Sequence, residues 1–78
     1  MSQAKLQEVF RNALGFEASF DVTTLAYSQH ERWDSIGHMQ LVAALEEAFG
    51  IMLETDDVID LSSYSKAVEI LRKYGVEL

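Results

Sequence analysis

Trp33-Asp34-Ser35-Ile36-Gly37-His38-Met39-Gln40-Leu41-Val42-Ala43-Ala44-Leu45-Glu46-Glu47-Ala48-Phe49-Gly50 is the stretch that decides how this chain folds. Asp34 and Ser35 are both good N-cap residues, because a short side-chain oxygen can take one of the backbone N–H groups that a helix start leaves without a partner. Gly50 is a natural stop, and Ile51 is placed to make the hydrophobic contact that follows one. Between them the spacing predicts a helix over about 35–49. Stepping round that helix puts Leu41, Leu45 and Phe49 on one side, flanked by His38, Val42 and Ala48. The opposite side collects Ile36, Met39, Gln40, Ala43, Glu46 and Glu47, an apolar strip bordered by carboxylates. A solvated face does not need Ile36 and Met39. Either a neighbouring connection or short helix covers them, or they are partner contacts.

Outward from this helix the same reasoning places three more. Toward the amino terminus, Leu6, Val9, Phe10, Ala13 and Leu14 recur at three- and four-residue steps, which predicts helix one over 3–14. Gly15 stops it, and Phe16 is positioned to pack back. From Gly15 to Trp33 the periodicity fails, and Phe20, Val22, Leu25 and Tyr27 stand scattered among Ser, Thr and Asp. That pattern is a long connection pinned to the core by its own apolar residues. Trp33 reads as a packing residue that closes it. Beyond Gly50, Thr55 opens a stretch of a turn or two in which Asp56 and Asp57 complement the positive helix end and Val58 and Leu61 form one apolar edge. Ser62 or Ser63 caps a last helix striped by Tyr64, Ala67, Val68 and Leu71, with Arg72 and Lys73 in its final turn and Gly75 closing it. The fold class expected is all-α: one domain over 1–78, a bundle of three longer helices and one short helix with a long first loop.

Composition narrows the function. The chain has 78 residues, 49% hydrophobic and 24% charged, the balance of a folded module too small for two cores or a large enzyme pocket. With no Cys, neither disulfides nor thiolate zinc sites hold it together. Met1 to Lys5 lacks the basic and then apolar run of a signal peptide, and the longest apolar run, Leu41 to Leu45, is far short of a membrane span, so a cytoplasmic protein without membrane insertion is expected, with a monomer as the default for a module of this design. The net charge of −7 excludes nucleic acid as a natural partner. Its distribution is uneven: Trp33 to Ser65 holds seven acids and no base, and outside it the six remaining acids balance the six bases. The acidic segment is either a solubilising face or a docking surface for basic partners.

Two chemical readings fail on spacing. Asp34, Ser35 and His38 do not make a hydrolase triad, because the acid stands beside the serine and not on the far side of the imidazole, and no nucleophile-elbow glycine pattern is present. His38 is expected as a half-buried helix residue and His30 as an ordinary loop residue. Asp56, Asp57 and Asp60 lack the glycine and terminal Glu of a calcium loop, so no metal site is expected.

Asp34-Ser35-Ile36 at a helix start, followed by Met39, Leu41, Val42, Leu45, Glu46, Glu47 and Phe49, resembles the phosphopantetheine attachment region of acyl carrier proteins. The resemblance extends over nearly the whole chain: helix, long loop, Asp-Ser-headed helix, short helix, final helix. It implies that Ser35 receives 4′-phosphopantetheine from coenzyme A through a magnesium-dependent phosphopantetheinyl transferase, and that the arm then carries acyl, aminoacyl or polyketide intermediates as thioesters. Asp34 is implied as the motif acid and cap. Ile36, with Met39, Gln40, Ala43, Glu46 and Glu47, is implied as the face read by the transferase, by the loading ligase and by downstream synthase or transferase enzymes. A short acyl chain is implied between helices two and three near Leu45, Val58 and Leu61. The domain itself is not expected to be an enzyme. Ile36 in place of Leu, Trp33 in place of a small residue and Gly37-His38 in place of a polar pair look more like a stand-alone specialised carrier than a housekeeping one. The rival from another class is an acidic helical adaptor that binds basic partners through the same helix and is never modified.

Overall fold

Helices form where the apolar spacing places them. The computed structural model describes residues 2–78, and its four helices are α1 (Ser2–Leu14), α2 (Ser35–Phe49), α3 (Thr55–Asp60) and α4 (Tyr64–Lys73). The architecture is the helical bundle that the sequence predicts, three longer helices and one short one. α1 and α2 pack against each other. Leu6, Phe10 and Leu14 of α1, Leu41, Val42 and Leu45 of α2 and Tyr64, Ala67, Ile70 and Leu71 of α4 share one core. Ile70 lies outside the stripe expected for α4 and is buried beside Leu71, so the buried face is wider than the spacing alone indicated.

The stops act as their chemistry requires. Gly15 and Gly50 adopt left-handed φ of 78° and 65°, which lets the Phe16 and Ile51 N–H groups turn back onto the Arg11 and Glu46 carbonyls. Ser63, not Ser62, caps α4 and accepts from the Lys66 N–H at 3.0 Å.

The long first loop is pinned, but not by every residue the sequence offers. Val22 and Leu25 are buried, and Phe20 is half-buried, stacked on Phe16 with centroids 4.1 Å apart. The Tyr27 ring is 40% exposed and does not enter the core, so the core anchor at this end of the loop lies elsewhere. Trp33 does that work: it is fully buried, edge-on to Phe10 with centroids 5.5 Å apart. The loop is also sewn to the start of α4, where the Tyr27 N–H donates to the Ser62 carbonyl and the Tyr64 N–H to the Leu25 carbonyl.

Asp56 and Asp57 stand in the first turn of α3, as expected, and Asp57 does more than complement the helix end. Its carboxylate is buried and accepts from the Lys73 ammonium of α4 and from the Tyr74 hydroxyl, both at 2.5 Å. The Tyr74 oxygen in turn accepts from the Glu54 N–H at 2.9 Å. A charge is tolerable there because it is paired and hydrogen-bonded.

Candidate functional site

The turn at the head of α2 is built from three local devices. Asp34, extended at φ −99° and ψ −168°, is the N-cap. Its Oδ1 accepts from the Gly37 N–H at 2.8 Å, and its carbonyl accepts from the His38 N–H at 2.8 Å. Ser35 is therefore not the cap. It is the first helical residue, and it is exposed. Capping by Asp34 leaves the Ser35 and Ile36 N–H groups as the remaining free donors of the helix start, where an anion is favoured.

Gly37 is the second device, and the sequence marks it only as a departure from the polar pair of the family. It is buried, and a Cβ at this position would collide with the Arg32 carbonyl and come within 3.2 Å of Leu14 Cδ2. The loop thus lies directly on the first turn of α2, which only a residue without a side chain permits. The third device is Trp33, whose Nε1–H donates to His38 Nδ1 at 3.0 Å, while His38 Nε2 lies 2.8 Å from the Val58 carbonyl. Both imidazole nitrogens are occupied, so His38 has none to offer Ser35. The Asp34 carboxylate is engaged at Gly37.

The outward face of α2 contains the residues that its spacing placed there. Ile36 is 70% and Met39 58% exposed, and Gln40, Ala43 and Glu47 are exposed beside them. Glu46 departs from the expectation. It is half-buried, and its Oε2 accepts from the Leu53 N–H at 2.9 Å, so its carboxylate fastens the α2–α3 connection as well as bordering the face. Met52 and Ile59, 80% and 72% exposed, extend the apolar surface beyond α2. The sequence carried a signal for Ile59, which stands off the Val58 and Leu61 edge of its short helix.

A cavity of about 270 Å³ lies where the loop, α2 and α3 meet, lined by Tyr27, His38, Val58, Ile59, Leu61 and Ser62. Val58 and Leu61 share its wall. Leu45 does not; it is 1% exposed, inside the core. His38 and Tyr27 line the cavity where the resemblance implied Leu45.

Electrostatics single out the α3–α4 tie. The hydrogen bond from Lys73, then that from Tyr74, holds the Asp57 carboxyl below the usual carboxylate range. The same bonds push Lys73 and Tyr74 above their ordinary values.

An exposed serine heading a capped helix, an acidic apolar face and a four-helix bundle define a carrier-type module. A family model described as phosphopantetheine attachment site matches residues 4–71, and the chain belongs to that family, whose domains hold 4′-phosphopantetheine covalently. Comparison with the curated proteins and with the solved structures gives no match. The acyl-carrier-type fold implied by the resemblance is the fold observed. Carrier domains of this kind work with phosphopantetheinyl transferases and synthase enzymes, and they are typically not catalysts themselves.

Proposed function

We propose that the chain is a non-catalytic carrier whose phosphopantetheine arm is attached at Ser35, and which presents acyl, aminoacyl or polyketide intermediates to partner enzymes. The observation that carries this reading is the exposure of Ser35 as the first residue of α2, with Asp34 taking the capping role and leaving the serine hydroxyl to a transferase. The residues fit the group. In the attachment reaction the Ser35 oxygen would bond to the pantetheine-bearing phosphorus of coenzyme A as the pyrophosphate P–O bond breaks, the Ser35 proton passing to a base of the transferase and adenosine 3′,5′-bisphosphate leaving, and the Ser35 and Ile36 N–H groups at the positive end of the helix would favour the charge of the phosphodiester formed. Once attached, the arm supplies a thiol on which cargo is held as a thioester.

Ile36, Met39, Gln40, Ala43 and Glu47 form the surface that partners read, with Glu46 at its edge. The charge of −7, all of it within 33–65, favours basic patches on the transferase, the loading ligase and the downstream synthase, which speeds encounter while leaving complexes transient. An acyl chain rests against Val58 and Leu61 at the cavity wall.

The test is intact-protein mass spectrometry after incubation with coenzyme A, magnesium and a broad-specificity phosphopantetheinyl transferase, with Ser35→Ala in parallel. One phosphopantetheine mass gain is expected on the wild type and none on the variant, which keeps its fold because Asp34 is the cap. In the same assay Glu47→Lys slows loading and flattens its salt dependence, and an acyl chain delivered on the arm moves the Val58 and Leu61 methyl resonances. A gain that persists in Ser35→Ala overturns the attachment point. No gain on folded wild type moves the unmodified acidic adaptor to first place, and unmoved methyls remove the cavity from the reading.

A further inference from the structure

α3 has the least of its own to hold it. It is six residues long, and no side chain caps its start. Two polar ties hold it from outside. On one side Asp57 binds Lys73 and Tyr74. On the other, the Val58 carbonyl meets His38 Nε2 of α2 at 2.8 Å, and His38 Nδ1 meets the Trp33 indole at 3.0 Å.

The partners determine the state of that imidazole. An indole N–H can only donate, so Nδ1 is the nitrogen with the free lone pair; a carbonyl can only accept, so Nε2 carries the proton. His38 is neutral in this arrangement, and both nitrogens are used. Its ring lies nearly parallel to that of Trp33, at 17° with centroids 6.2 Å apart, and meets Tyr27 at 5.2 Å. Trp33, fully buried against Phe10, cannot follow a moving partner. One ring thus connects three elements: the loop that enters Ser35, the first turn of α2, and α3.

We propose that His38 is a positioning residue: through Trp33 and the Val58 carbonyl it fixes α3 against the Ser35 turn, so that Ile36 and Met39 on α2 and Ile59 on α3 meet a partner as one preset surface. The consequence for loading rests on the reading of Ser35 given above; the tie itself does not. A surface set in advance spares the partner the cost of ordering it. Losing the tie therefore weakens recognition of the carrier. It leaves the chemical step intact, because the Ser35 turn keeps its own Asp34 cap.

Three variants separate the two arms of the ring. His38→Leu removes both. His38→Asn places an amide oxygen about where Nδ1 lies and can restore the Trp33 bond alone, whereas the longer His38→Gln can reach the Val58 carbonyl alone. On unmodified protein, amide exchange is followed in all four helices, together with the indole N–H resonance of Trp33, the sole tryptophan of the chain. His38→Leu is expected to speed exchange in α3 by roughly tenfold, the size of one lost hydrogen bond, with α1 and α4 unchanged. The indole resonance moves with it. Asn returns the indole resonance and Gln returns α3 protection. With the protein as varied substrate of the transferase, His38→Leu raises KM about fivefold with kcat unchanged, and Gln recovers KM. Unchanged α3 exchange in His38→Leu, equal acceleration in all four helices, or a fall in kcat at constant KM overturns the proposal. Failure of the wild type to accept phosphopantetheine would overturn the Ser35 reading instead, and exchange and the indole resonance would still decide the tie.

Discussion

α2 and α3 are neighbours in the chain and opposites in what holds them. α2 runs for 15 residues with a side-chain cap at one end, a left-handed glycine at the other and three large apolar side chains in the core. α3 has six residues and no side-chain cap, and its Asp57 carboxylate is bonded to the end of α4. Most stability of a helix in a protein comes from packing an apolar face, so α2 is fastened by burial and α3 by polar ties from its neighbours. The difference matters for function because the exposed apolar surface spans both: Ile36 and Met39 stand on the firmly held helix and Ile59 on the tethered one.

The contrast breaks most visibly in the core. Leu41→Ala removes a fully buried side chain of α2 and is expected to cost about 3 kcal/mol, whereas Ile59→Ala on exposed α3 should fall within about 0.5 kcal/mol of wild type. Urea unfolding of the two variants measures both; comparable losses would mean that α3 is anchored by burial after all.

Gly37→Ala has a smaller effect of unusual sign. In a free helix the change stabilises by up to about 1 kcal/mol, but here the new methyl collides with the Arg32 carbonyl. A net loss of about 1–2 kcal/mol is expected, since crowding of a packed contact outweighs propensity. The thermal midpoint reads it, and a rise would show that the loop does not lie as closely on α2 as described.

The smallest change is confined to α3 and appears with acid. Because the folded Asp57 carboxyl titrates below its unfolded value, its tie is fully present above the ordinary carboxylate value of about 3.9 and is lost as pH falls through the lower folded value. Lys73, shifted upward, contributes below the ordinary lysine value, and its share is lost as pH rises through its higher folded value. Protection of the α3 amides, taken relative to their intrinsic exchange rates, should therefore fall as pH is lowered below the ordinary carboxylate value, beyond the change in α2, and Asp57→Asn should abolish that difference. Parallel behaviour of the two helices would show that the tie to α4 contributes little to α3.

Local chemistry makes α2 legible from sequence. Asp34 and Gly50 are capping residues for reasons contained in their own side chains, and Leu41, Val42 and Leu45 fall together at the helical period. Asp34 and Ser35 were both eligible as cap; only the backbone geometry, which aims Asp34 Oδ1 at the Gly37 N–H, separates the residue that holds the turn from the one left exposed. The same holds for Asp57, whose place in the first turn of a short helix reads as dipole complementation until Lys73 and Tyr74, 16 and 17 residues later, arrive beside it. Glu46 shows the limit of a helical wheel, which sorts residues by side and does not tell that the Leu53 N–H reaches this carboxylate.

The sequence by itself determined the four helices, their stops, the acidic stretch from Trp33 to Ser65 and Ser35 at the head of α2, because period, cap chemistry and charge are properties of residues close together along the chain. Only the tertiary structure decided that Gly37 is a point of backbone contact, that His38 belongs to the cavity wall, and that one imidazole joins Trp33 to Val58. Those relations join residues distant in sequence or set in different elements, and their partners are chosen by how the elements pack, which no local signal encodes.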